Sequence, residues 1–134
     1  MLGIDHGTVR IGLALSDESG AVARPLATMP EENALDRLPA LIQDQNVGAI
    51  VLGMPLRRDG SEGPAAQRVR EFFEQLRPLV PAGIPIHLRD ESHSTLEAAS
   101  HLRTNRGRRR ARREAIDPVA AAVILQEFLD EREF

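Results

Sequence analysis

The run VGAIVLGM, residues 47–54, constrains this chain more than any other stretch. It is almost continuously apolar, without the alternation of a half-solvated strand, and so suits a parallel β-strand covered on both faces. Parallel strands need crossover connections, usually helical, that pack on the sheet. Helical patterns flank the run on both sides. The segment Asp36–Gln45 turns Leu38, Leu41 and Ile42 inward, with Pro39 tolerated in its first turn. After the loop PLRRDGSEGP, Val69, Phe72, Phe73 and Leu76 share one helical face that ends before Pro78.

The start of the chain reads differently. Leu2–Asp5 is a short apolar strand, and Val9, Ile11, Leu13 and Leu15 then alternate with Arg10, Gly12, Ala14 and Ser16. That is the period of a half-buried strand. His6, Gly7 and Thr8 supply the turn, so the two form a hairpin. Ala21–Met29 predicts a third strand, which Pro25 places at a sheet edge. Ile84, Ile86 and Leu88 alternate as a last strand. STLE, Ser94 to Glu97, has capping-box spacing for a helix. In DPVAAAVILQEFLD, Asp117 is a candidate N-cap with Pro118 at the first helical position. The order β-β-β-α-β-α-β-α-α predicts a mixed-sheet α/β domain: an antiparallel meander continuing into βαβ units, with helices on the faces.

At 134 residues the chain is expected to form one domain over residues 1–134. Neither a signal-peptide pattern nor an apolar run of the ~20 residues that span a membrane is present. Without cysteine there are no disulfides or thiolate metal sites, which fits a cytoplasmic location. The net charge of −3 conceals an asymmetry. All 17 basic residues are arginine, and seven fall in RTNRGRRRARR, residues 103–113, which holds no acid. The remainder carries 10 arginines against 20 acids. A basic stripe on an acidic body points to a polyanionic partner, with Arg106, Arg108, Arg109, Arg110, Arg112 and Arg113 as nucleic-acid contacts. A solvated loop is the plain alternative. With 3% aromatic residues and neither Trp nor Tyr, recognition by base stacking is not expected.

Asp5, Glu91 and Asp117 each fall where a strand ends or a helix begins, and open α/β sheets collect ligands at the carboxyl ends of their strands. Singly, each has an ordinary explanation: an Asx-turn at Asp5, a solvated Glu91, a capping Asp117. A shared Mg²⁺ or Mn²⁺ would account for all three, because a carboxylate cluster is tolerated when a hard cation neutralises it. His6, His87, His93 and His101 lack a zinc spacing. In GMPLRRDGSEG, glycines, an emerging helix N-terminus and the charges of Arg57 and Arg58 make a candidate phosphate clamp.

LGIDHGTVRIGLALSD, VGAIVLGMPLRRDGSEGPAAQRVREF, DESHSTLEA and DPVAAAVILQEFL together resemble the four signature blocks of the YqgF/RuvX family, in order and over nearly the whole chain. The resemblance implies a ribonuclease-H-like fold with a five-stranded mixed sheet. It also implies a nuclease, either maturing the 5′ end of pre-16S rRNA or resolving Holliday junctions. Its acidic positions fall on Asp5, Glu91 and Asp117, Arg10 matches the arginine of the first block, and Gly53, Pro55, Asp59 and Gly60 match the loop block. Two Mg²⁺ or Mn²⁺ ions would then be shared, Asp5 bridging them, with structured RNA or branched DNA as partner and a homodimer where a two-fold junction is cut. The chain departs from the family at Ser92, where an arginine is usual and Arg89 is the candidate substitute. Ala120 stands where the wider resolvase group carries an acid. The expected order also puts a strand between those bearing Asp5 and Glu91, leaving their backbones ~10 Å apart, so that the glutamate must lean inward. Two rivals remain. DHGT resembles the phosphate loop of actin-like ATPases and sugar kinases, which need two such domains, and a non-catalytic nucleic-acid-binding module would not need the three acids.

Overall fold

A computed structural model describes residues 1–91 and 118–132. The helix expected from Ser94, Asp117 and the arginine run of residues 103–113 lie outside the described residues. Chain order gives β1 (Leu2–His6), β2 (Arg10–Ser16), β3 (Ala23–Pro30), α1 (Glu31–Asp44), β4 (Ile50–Pro55), α2 (Pro64–Leu76), a 3-10 turn (Arg77–Leu79), β5 (Ile86–Glu91) and α3 (Pro118–Glu131). The strands form one sheet in the order β3-β2-β1-β4-β5. β1, β2 and β3 make the antiparallel meander, and β4 runs parallel to both β1 and β5. Pro25 does lie on an edge strand, where a missing N–H costs no ladder bond.

The VGAIVLGM run is explained by its two faces. Ile50, Leu52 and Met54 of β4 join Leu2, Ile4, Ile11, Leu13, Leu38, Val69, Phe72 and Leu76 in the core beneath α1 and α2. Val51 faces the other way, into a smaller core with Ala14, Ala121, Ile124, Leu125 and Leu129 beneath α3. Each fully buried Leu or Ile contributes about 1.5–3 kcal/mol through its desolvated surface.

Three local expectations fail. β2 is not half-buried: Gly12 and Ala14 are covered as fully as Ile11 and Leu13, because α3 packs on the face that the alternation leaves to solvent. Val9, expected to begin the buried set, is instead 60% exposed in the hairpin turn. Helix α1 starts at Glu31, so Pro39 sits in its interior rather than its first turn. That position forfeits a helical hydrogen bond, and burial of Ala34, Leu38 and Ile42 holds the helix together across it. The helix ends at Asp44 with Gln45 as its C-cap, and Asn46 just beyond takes a φ of +55°, a left-handed conformation that asparagine tolerates.

Candidate active site

Residues i and i+2 of a strand share a face. A Cβ on Gly3 would come within 2.8 Å of Leu125 Cβ, so the odd-numbered residues of β1 face α3. Asp5 is therefore on the α3 side, near the carboxyl end of β1, opposite Gly12 in the ladder and only 8% exposed. On β5 the residues facing α3 include Arg89 and Glu91, since Arg89 bonds to α3 side chains. Glu91 ends the strand and is 2% exposed, which overturns its reading as a solvated residue. β4 intervenes between β1 and β5, as expected, and Gly53 on it faces α3: a Cβ there would lie 2.7 Å from Ile124 Cδ1. Gly53 thus serves the close approach of α3 and is not part of the loop.

Glu91 is held from two sides. Its carbonyl accepts the Leu56 N–H at 2.9 Å, and its Oε2 accepts Arg89 Nε at 2.6 Å. Arg89 also donates through Nη1 to Glu131 at 2.5 Å and through Nη2 to Glu127 at 3.3 Å, both on α3. Burial, reinforced by the charge of Glu127, pushes the Glu91 carboxyl up to about 7, against the pull of Arg89. A carboxyl so placed is one whose ionised form lacks full compensation.

His6, next to Asp5, points to the opposite face. Its ring lies 4.8 Å from Phe72 and its Nε2 3.3 Å from Glu31, which ties the end of β1 to the start of α1. Burial lowers its pKa, and the Glu31 carboxylate offsets only part of that. Sequence reading placed His6 only in a turn.

Arg10, Arg57 and Arg58 are exposed and lie at the same end of the sheet as the two buried acids. Arg10 opens β2 at the hairpin, where its carbonyl accepts the Gly7 N–H. Arg57 and Arg58 follow β4 directly after Leu56. In that loop Asp59 accepts both the N–H and the hydroxyl of Ser61, and Gly60 takes φ +88°. The Arg57 guanidinium packs over Gly63, the N-cap of α2, where a Cβ would come within 2.7 Å of Nε. Among the described residues no group of three or more His, Asp or Glu side chains is arranged to hold a metal ion. Asp5 and Glu91 are brought to one end and one face, while Asp117, the residue before α3 begins, is outside the described set. The contacts that sequence reading missed are Glu127 and Glu131; their spacing of four on α3 puts both on the helix face that meets Arg89.

Two solved structures share the fold. The Fowlpox virus resolvase in complex with Holliday junction DNA matches with a TM-score of 0.58 at 8% identity, covering 99% of this chain and 98% of that one. RuvC of T. thermophilus in complex with a Holliday junction substrate matches with a TM-score of 0.53 at 17% identity, covering 98% and 96%. The class is thereby defined as a ribonuclease-H-like α/β fold with two buried acids at the carboxyl edge of its sheet. Two relatives, from Roseiflexus sp. (strain RS-1) and Anaeromyxobacter sp. (strain Fw109-5), are 42% and 44% identical. They cover 97% and 98% of this chain and 93% and 96% of their own lengths, and both carry the name "Putative pre-16S rRNA nuclease". The family model described as RuvX, Holliday junction resolvase, matches residues 1–131, and the chain belongs to that family. It is an enzyme of the nuclease class, a hydrolase of nucleic-acid phosphodiester bonds.

Proposed function

We propose that this protein is a divalent-metal-dependent nuclease that processes the 5′ end of pre-16S rRNA, with Asp5, Glu91 and Asp117 as metal ligands. The observation that carries the reading is Glu91: a carboxyl 2% exposed at the carboxyl end of the sheet, on the same face and at the same end as a second buried acid, Asp5. Oxygen-only donors suit Mg²⁺ or Mn²⁺, and a cation offsets the charge that burial makes costly. Asp117 is covalently joined to the first residue of α3, and it supplies the third carboxylate. When bound, the divalent ions supply Lewis-acid activation of water and stabilisation of the leaving oxygen.

The protein's own groups do the rest. Asp5 and Glu91 would hold the cation at the carboxyl edge of the sheet, and a protonated Glu91 would have to release its proton to do so. Arg10, Arg57 and Arg58 draw the phosphate backbone to the same end, aided by Arg106, Arg108, Arg109, Arg110, Arg112 and Arg113. The names of relatives above 40% identity support rRNA as substrate. A second reading, resolution of branched DNA by a homodimer, is favoured by the likeness in fold to resolvases bound to Holliday junctions. One experiment separates them. The purified protein with Mn²⁺ is offered a precursor rRNA and a four-way DNA junction side by side. Site-specific cleavage near the rRNA 5′ end is expected; symmetric cutting of the junction alone would transfer the proposal to the second substrate, and no cleavage of either would sink it.

A further inference from the structure

We propose that Arg89 is the positioning residue of Glu91, and that it takes its own position from α3. This rests on the metal-ligand reading of Glu91 given above. Glu91 is the last residue of β5, and among the described residues β4 alone flanks that strand in the sheet. Its backbone is fixed by the Leu56 N–H, but a glutamate side chain keeps three rotatable bonds beyond that anchor. Arg89, two residues earlier on the same face, removes that freedom through the 2.6 Å bond from Nε.

The guanidinium is then pinned at its far edge. Nη1 meets Glu131 and Nη2 meets Glu127, one helical turn apart, so each of its three nitrogens serves a different carboxylate. A planar fork with fixed donor directions can do this, whereas a lysine ammonium would act as a single point charge. One chain of contact runs from α3 through Arg89 to Glu91, beside the direct approach of Glu127 to the Glu91 carboxyl. It crosses some forty residues of sequence, and it couples the helix that follows Asp117 to the strand that ends in Glu91. Groups that orient a metal ligand without touching the ion commonly change metal affinity 10–100-fold when removed. Arg89, with only 19% of its side chain exposed, is built into such a place.

The test is Mn²⁺ binding by calorimetry, with melting of the metal-free protein as the control for folding. Arg89→Gln is expected to weaken Mn²⁺ binding roughly tenfold or more while the protein stays folded, and cleavage should recover at high Mn²⁺. Arg89→Lys should restore little of the affinity. Glu131→Gln, at an exposed position, should lower affinity two- to three-fold alone and not at all in an Arg89→Gln background, because it acts only through the guanidinium. If Arg89→Gln does not fold, Glu131→Gln alone decides: wild-type affinity in that variant overturns the inference. A folded Arg89→Gln with wild-type affinity overturns it as well. Glu91→Gln separates the two levels. Lost Mn²⁺ binding there, with Arg89→Gln unaffected, removes Arg89 and leaves the metal site standing. Unchanged binding in Glu91→Gln removes the metal-ligand reading, and the role of Arg89 with it.

Discussion

Toward α1 and α2 the sheet presents Leu2, Ile4, Ile11, Leu13, Ile50 and Leu52; toward α3 the same strands present Gly3, Gly12, Ala14, Val51 and Gly53. The first face fills space with large side chains. The second gives up volume so that a helix can lie close, and it carries the two buried acids at its carboxyl end. Adjacent residues show the division: His6 stacks on Phe72 in the large core, while Asp5 lies buried on the α3 side. On the proposed reading of Asp5, a single strand thereby separates its stabilising work from its chemical work by the two-residue period alone. Damage to the two faces should therefore look different.

The largest difference is expected at Asp5. Asp5→Asn, nearly isosteric, should lower cleavage by roughly three orders of magnitude or more while the metal-free protein melts within a few degrees of wild type. Cleavage at the normal rate would mean that the charge on the α3 face has no chemical role. The opposite face should respond the other way. Leu52→Ala should cost about 2–5 kcal/mol in denaturant unfolding through the cavity it leaves, and the protein that remains folded should keep its rate per molecule. Equal loss of rate and stability would blur the division of the faces.

Glu91 provides a subtler contrast. Its carboxyl is raised from 4.5 to about 7, so the folded protein binds that proton more tightly than the unfolded chain. Stability from this group is full below about pH 4.5 and is lost as pH rises towards 7. Metal-free wild type should therefore lose on the order of 1–3 kcal/mol relative to Glu91→Gln across that window, read from unfolding curves at stepped pH. Mn²⁺ should cancel the loss in wild type only. Parallel curves for the two proteins would show that Glu91 is already compensated without a cation.

The smallest effects test the glycines. Gly3→Ala sets a methyl against Leu125 Cβ, which cannot swing away, and should cost about 1–3 kcal/mol. Gly53→Ala meets only the end of Ile124, which can rotate, and should cost less, under about 1 kcal/mol. Reversal of that order in thermal melts would place the tight approach of α3 over β4 instead of β1.

Much of this architecture is legible in the residues alone. An apolar run without alternation requires cover on both faces, and an acid ending an apolar strand requires compensation, so β4 and Asp5 declare themselves locally. The start of α1 does not, because Asp36 and Pro39 imitate a helix beginning while burial of Ala34 extends the helix back to Glu31. The alternation of β2 misleads for a related reason: Ala14 looks like a solvent-side residue in a pattern, yet it packs in the core beneath α3.

Residue order alone determined the succession of strands and helices over the described residues and the mixed sheet, since these follow from periods of two and 3.6, and the cost of burying charge singled out Asp5. Only the tertiary structure decided that Glu91 is buried, that Arg89 grips it and that Glu127 and Glu131 hold Arg89. Those facts depend on α3 crossing back over the sheet, and contacts between residues about forty positions apart leave no local period to read.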